Sequence, residues 1–305
     1  MKISKTITIK LAFLCLIHNS LAMPSEPIPL WNNGVEYNQN AQLQMGWADE
    51  FFLKHYHFKG DEHILDIGSG DGKITAKIAQ AVPKGSVIGI DNSTSMLAKA
   101  DKDYHQVPNL QFNLEDADNL SFYNKNANKF DLVVSFSTLH WVKNQQGVLD
   151  GIYQVLKPKG KFYVKLCSKG GDPIQDIADS LKFDPKYSDH FKNFVDPVTR
   201  FNEAEYQALL EQAKLKMISI KDTQEKDKVV NKEKLSKQLK SWLPHYHFLK
   251  LTSPQLAEEF MNDTVNQYLK QYPANSDGTI TLYDHYLEVV GEKGETTKKT
   301  GYTLS

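Results

Sequence analysis

Short apolar runs and amphipathic stretches alternate along the middle of the chain. His63-Ile64-Leu65-Asp66-Ile67 reads as a strand, a glycine turn follows, and residues 74–82 carry apolar side chains at helical spacing up to Pro83. Further strands are predicted over 86–91, 110–114, 130–136 and 161–166, with helices over 93–99 and 147–156, the latter closed by Lys157-Pro158. Strands alternating with helices at such short intervals predict an α/β fold: right-handed crossovers, and a mostly parallel sheet with helices on both faces. Beyond Ser168 the pattern loosens through Gly170-Gly171-Asp172-Pro173 into a loop-and-helix insertion. Helices are then predicted over 203–213, 231–239 and 254–268, a long extended segment over 217–230 and a last strand over 279–290. Upstream, Leu43, Met45, Trp47, Ala48, Phe51 and Phe52 predict a short helical cap in the second half of residues 31–53. The polar tail, 292–305, is expected to be disordered.

The first residues have a different character. Lys2, Lys5 and Lys10 precede the apolar run 11–17, no acid occurs before Glu26, and Ser20-Leu21-Ala22 supplies small residues where a signal peptidase reads. This predicts an exported protein cleaved before Met23, with a cytoplasmic protein as the alternative if translation starts at Met23 or the signal is not used. The run is too short to span a bilayer, and no other segment is long and apolar enough to do so. Cleavage would remove Cys15 and leave Cys167 alone, without an internal disulfide. The expected organisation is a signal segment over 1–22, an N-terminal cap over 23–60, a ligand-binding core over 61–168, and an insertion with cap helices and the last strands over 169–291.

Composition narrows the class further. The 305 residues carry 36 Lys+Arg against 37 Asp+Glu and 40% hydrophobic residues, so a large globular core is available and a fibrous or disordered chain is excluded. The balanced charge gives no reason to expect nucleic acid as a partner. Arg200 is the only arginine, which leaves little material for a bidentate clamp on a polyacid.

The chemistry is concentrated in Asp66-Ile67-Gly68-Ser69-Gly70-Asp71-Gly72. Glycines at a strand-to-helix turn let a ligand approach the backbone, and the helix start that follows is expected to offer free N–H groups. The spacing is G-x-G-x-G with acids at Asp66 and Asp71, not the G-x-G-x-x-G of a dinucleotide site, and acids at the turn suit a ligand bearing an ammonium group. Asp91 ends the second strand, where a carboxylate can accept both ribose hydroxyls, and Asp116-Ala117 follows the third, where an acid can take an adenine amino group. These acids fall at the carboxyl ends of successive parallel strands, where ligands bind in this architecture.

With these residues the sequence resembles class I S-adenosylmethionine-dependent methyltransferases. The likeness includes Phe130-Asp131-Leu132-Val133-Val134-Ser135 and Leu156-Lys157-Pro158-Lys159-Gly160, where the usual glycine pair is Lys159-Gly160, a surface change expected to be harmless. Ser137-Thr138-Leu139-His140-Trp141-Val142, together with Trp31, Tyr37, Gln44 and Trp242-Leu243-Pro244, is similar to the subgroup of trans-aconitate, malonyl-carrier-protein and juvenile hormone acid methyltransferases. The resemblance implies a Rossmann-like sheet of seven strands, the last antiparallel, roofed by residues 31–53 and 231–268. It implies S-adenosylmethionine as cofactor. Asp66, Gly68, Ser69, Gly70 and Ser135 would lie at its methionine end, Asp91 at the ribose, and Met96, Asp116 and Ala117 around the adenine. Gln44 and Asn92 are counted with this set.

Methyl transfer from a sulfonium needs positioning and a dry pocket more than it needs a nucleophilic residue or a metal. A carboxylate acceptor needs no base, whereas a hydroxyl or amine does. His140, just past a strand end, is the candidate base, against the alternative of a hydrogen-bonded structural histidine; Tyr37 and Trp141 are candidates for the substrate pocket. His245 and His247, two apart, give only a weak metal pattern, and no metal site is assigned. The expected activity is O-methylation of a small-molecule or carrier-bound acyl carboxylate. The alternative is an exported interaction module that keeps the fold without turnover.

Overall fold

The computed structural model describes residues 48–229 and 231–294. The predicted signal segment, Tyr37, Gln44, most of the N-terminal cap and residues 295–305 lie outside the described residues. Seven strands form one sheet: β1 (His63–Ile67), β2 (Ser86–Asp91), β3 (Leu110–Leu114), β4 (Phe130–Phe136), β5 (Leu156–Cys167), β6 (Leu215–Val229) and β7 (Ile280–Lys293). Their order is β3-β2-β1-β4-β5-β7-β6. The first five are parallel, and β7 runs antiparallel between β5 and β6.

The helices are α1 (Lys73–Ala81), α2 (Thr94–Tyr104), α3 (Leu120–Lys125), α4 (Gln145–Val155), α5 (Pro173–Leu181), α6 (Glu203–Gln212), α7 (Lys232–Lys240), α8 (Pro244–Thr252) and α9 (Pro254–Gln271). Strand alternation sends Leu65 and Ile67 into one core with α3, α4 and α6, and Ile64 into a second core with α1 and Phe52. Because both faces are covered, β1 and β4 read as nearly continuous apolar runs.

A third core lies in the C-terminal half, where α5, α7, α8 and α9 bury Ile174, Leu239, Phe260 and Tyr268. What carries it is the length of β6 and β7. Their pairing runs from Leu215↔Lys293 to Val229↔Ile280, whereas β5 accompanies β7 only from Lys161↔Glu292 to Cys167↔Tyr286. The far ends of the two long strands therefore leave the sheet, and Val229, Ile280 and Leu282 enter the cap core.

Several boundaries differ from expectation. The helix predicted to start at 93 runs on to Tyr104, with Ser93 as its cap. The short helices α3 and α8 were not predicted: α3 is a single six-residue turn capped by Asn119, and α8 follows Pro244 as its first residue. Glu292 and Lys293 belong to β7 and not to a disordered tail. Glu292 accepts a hydrogen bond from Lys216, and the Lys293 ammonium donates to the Leu156 carbonyl at 2.9 Å and to Asn128 at 2.7 Å. Lys159 is exposed, as expected, but sits at φ +66°, a left-handed conformation that carries a cost for any residue with a Cβ.

Candidate active site

The glycine turn follows β1, and its shape is dictated by contacts. Gly68 has φ +79°, and a Cβ there would fall 2.1 Å from Thr138 Oγ1, so only glycine fits between β1 and the segment after β4. Gly89 in β2 is equally restricted, because a Cβ would lie 2.8 Å from Ser69 and from Phe112. The amides of the turn are already committed. Gly68 and Ser69 donate to the Ile90 carbonyl at 2.7 and 3.0 Å, Gly70 donates to Asp91 Oδ2 at 2.9 Å, and Gly72 to the Ser69 carbonyl at 3.0 Å. The turn is stitched to the end of β2, and at the start of α1 the Lys73 amide donates to Asp71 Oδ1 at 3.3 Å.

Above the turn lies a cavity of about 420 Å³ that runs from β1 and β2 to the cap. Gly68, Gly70, Asp91, Asn92, Met96, Asp116, Ala117, His140 and Trp141, all named from the sequence, line it. Asp91 Oδ1 also accepts from the Ser93 amide at 2.8 Å, and Asn92 donates to Asp116 Oδ1 at 3.0 Å, so the acids at the ends of β2 and β3 are coupled. Burial pushes the Asp91 carboxyl upward, and the amide donors of Ser93, Gly70 and Asn92 oppose that rise.

Asp66, Ser69 and Ser135 sit beneath the turn, not on the cavity wall. Asp66 accepts from Thr75 Oγ1 at 2.7 Å, and its burial pushes the carboxyl up to about 7. Ser135 Oγ donates to the Ile67 carbonyl at 2.7 Å and locks β4 to β1. The Ser69 hydroxyl is buried without a partner among the described residues.

His140 belongs to a short turn, Leu139–Trp141, held by Gln145, whose buried amide donates to the Leu139 and Val142 carbonyls. The Cys167 amide donates to His140 Nδ1 at 3.3 Å, which fixes that nitrogen as the acceptor and leaves the proton on Nε2. Burial, with a smaller contribution from Arg200, pushes its pKa down to about 3, so the ring is neutral near neutral pH. A second imidazole, His285 on β7, also lines the cavity; Nδ1 faces Asp222 Oδ1 at 3.1 Å and Nε2 faces the Gln224 amide at 3.0 Å.

The sequence reading missed Arg200, Asp172, Trp242 and the β7 residues Asp284 to Tyr286, all on the cavity wall. Asp172-Pro173 is a helix-start signature, and the carboxylate caps α5 through the Ile174 and Gln175 amides. Arg200 was noticed only as a rarity. No local signal marks the β7 residues, because the β5–β7 pairing brings them there.

The Methyltransferase domain family matches residues 58–243. The chain belongs to that family. It is similar to the putative methyltransferase 235L of Invertebrate iridescent virus 6, 31% identical over 63% of this chain and 71% of that protein. The juvenile hormone acid O-methyltransferase of Drosophila melanogaster is 29% identical over 55% of this chain and 59% of its own length. A malonyl-[acyl-carrier protein] O-methyltransferase of Ilyobacter polytropus is 29% identical over 57% and 63%. The YcgJ protein of Bacillus subtilis shares the fold, with a TM-score of 0.57 at 18% identity, over 84% of this chain and all of that one.

The residues fit S-adenosylmethionine, the cofactor of this methyltransferase. The part of the cavity over the ends of β2 and β3 is lined by Asp91, Glu115, Asp116 and Asp118, an acidic surface that suits a ligand of net positive charge and opposes a pyrophosphate. Gly68 and Gly70 put the backbone of the turn on the cavity wall, where a ligand can approach it closely.

Proposed function

We propose that this methyltransferase methylates a carboxylate oxygen of a small-molecule or carrier-bound acid. The observation that carries this reading is that both imidazoles on the cavity wall have their acceptor nitrogen already engaged, His140 Nδ1 by the Cys167 amide and His285 Nε2 by Gln224. Neither is free to take a proton from an acceptor, and a carboxylate has none to give near neutral pH. His140 instead presents an Nε2–H donor, which suits a carboxylate oxygen.

Bound S-adenosylmethionine supplies an electrophilic methyl group on its sulfonium. Asp91, Asn92 and Asp116 would hold its adenosine end, and the Gly68–Gly70 turn its amino-acid end. His140, Trp141 and Trp242 would line the acceptor side and exclude water, so that the carboxylate oxygen meets the methyl group in a desolvated space. The relatives named for juvenile hormone acid and malonyl-carrier-protein methylation support the same acceptor class. An interaction module without turnover finds no support in the family or in the site.

One observation favours a second reading. Burial pushes the Asp172 carboxyl upward, and this residue faces the cavity, so it is the group that would accept a proton from a hydroxyl or amine acceptor. Release of S-adenosylhomocysteine with a panel of C4–C16 carboxylic acids, malonyl thioesters, phenols and amines separates the two. Turnover with acids, at a rate flat from about pH 6 to 9, is expected, because neither His140 nor the acceptor titrates in that window. Turnover confined to phenols or amines would transfer the assignment to Asp172.

A further inference from the structure

The cavity wall contains the only guanidinium of the chain, and its hydrogen bonding is incomplete. The Arg200 side chain is 15% exposed, and among the described residues it makes one hydrogen bond, from Nη1 to Asp196 Oδ2 at 2.8 Å. A guanidinium has five N–H donors, so several are left without a protein acceptor and open to the cavity. Where such a group lines a cavity, the missing acceptors are those of a ligand.

The position of Arg200 is fixed by its backbone. The Thr199 amide donates to the His140 carbonyl at 2.7 Å, and the Lys169 amide donates to the Phe201 carbonyl at 2.9 Å. Asp196 is itself held by the Val198 amide at 2.9 Å, and its carbonyl accepts from the Lys143 ammonium at 2.6 Å. The segment 196–201 is thus laid between the His140 turn and the end of β5, which places Arg200 on the same cavity wall as His140 and within electrostatic reach of it. Lys143, the other cation on the wall, is already engaged with that carbonyl.

We propose that Arg200 is the residue that determines acceptor specificity, binding the acceptor's carboxylate through the guanidinium N–H groups that the protein leaves open. The inference rests on the carboxylate reading above and names the group that enforces it. Asp196 balances the charge of Arg200, so recognition comes from the directional fork of donors more than from net charge. Of the other acids nearby, Asp172 has Oδ1 occupied by the Ile174 and Gln175 amides and is shifted by burial toward its neutral form, Asp176 interacts with Arg200 electrostatically, and Asp284 shares the cavity wall. An amide offers the fork one acceptor and would set its NH2 against the second donor, an ester lacks the anionic oxygens, and an ammonium has no acceptor for the fork at all.

The test is a direct binding measurement that needs no turnover. The protein saturated with S-adenosylhomocysteine is titrated calorimetrically with octanoate, octanamide and octylamine, as wild type, R200K and R200Q. Octanoate is expected to bind the wild type at least about ten-fold more tightly than either neighbour. R200Q is expected to lose that preference and R200K to retain only part of it, because lysine offers a point charge and not a fork. S-adenosylhomocysteine binding within about two-fold of wild type serves as the folding control. Equal binding of acid and amide to the wild type, an octylamine preference, or an acid preference that survives R200Q overturns the assignment. If R200Q loses S-adenosylhomocysteine as well, R200K decides, and an undiminished preference in that variant overturns it. Acid binding that depends on Arg200 without methyl transfer would sink the proposed function and leave this inference standing. Methylation of acids by an R200Q enzyme that stays acid-selective would do the reverse.

Discussion

Two buried titratable groups flank the glycine turn with opposite pH signatures. Asp66 has its carboxyl raised by burial from an ordinary 3.8 to about 7, so between those values the folded chain keeps a proton that the unfolded chain has released. Its contribution to stability is complete below about pH 4 and is lost as pH rises toward 7. His140 is lowered from 6.5 to about 3 by burial, so the unfolded chain takes up the proton first and stability falls as pH drops through that window. Asp66→Asn keeps an acceptor for Thr75 Oγ1 but cannot titrate. The variant should therefore gain stability relative to wild type as pH rises from 4 to 7.5, by up to about 4 kcal/mol at an order-of-magnitude ceiling. Thermal unfolding of both proteins across that range measures it; a difference that stays constant with pH would refute the buried, protonated Asp66. The sequence placed Asp66 with the cofactor because it sits at the turn, but strand alternation sends its side chain toward Thr75 of α1 and away from the cavity.

At the scale of elements, the parallel half of the fold was legible almost residue by residue. β2 and β4 fall where the apolar runs predicted, since a strand buried on both faces has a continuous apolar signature, and the edge strand β3 falls where its alternating Leu110, Phe112 and Leu114 predicted. Short elements without a clear period, such as α3 with its Asn119 cap and α8 with Pro244 as its first residue, were not legible. The β4–β5 connection shows the same limit. Lys159 follows a Leu-Lys-Pro run at which a glycine is usual, and the reason is its left-handed backbone, φ +66°, at an exposed irregularity near the start of β5. A side chain was readable as harmless from its surface position, but the backbone angle was not. Lys159→Gly should stabilise the protein by about 1 kcal/mol, the left-handed penalty for a non-glycine residue less the added entropy of the unfolded chain. Chemical denaturation would show it as a higher midpoint at unchanged slope. An unchanged or lower midpoint would mean that contacts of the lysine side chain outweigh the backbone cost.

In the whole molecule, one continuous cavity is shared by two packing units. The sheet cores supply Gly68, Asp91 and His140, while the cap contributes Gln238, Ser241 and Trp242 near the end of α7. Between them lies the point where β7 parts from β5, which puts Asp284, His285 and Tyr286 on the cavity wall. No local sequence pattern reveals this, because the contact depends on the pairing of β5 and β7, which are far apart in the sequence. The arrangement predicts an ordered response to ligands. S-adenosylhomocysteine at 100 times its dissociation constant should stabilise the chain by about 2.7 kcal/mol, a rise in unfolding temperature of roughly 5–10 °C. Amide exchange should slow around residues 68–72 and 91–96 with that ligand alone, since the acids and glycines of the adenosine end are there. If these cap residues close the acceptor end, as proposed, exchange over 238–242 should slow only when octanoate is added. Protection of both regions by S-adenosylhomocysteine alone would instead mean that the cap closes on the cofactor before any acid arrives, and acceptor selection would then be a property of the closed state and not of the open wall around Arg200.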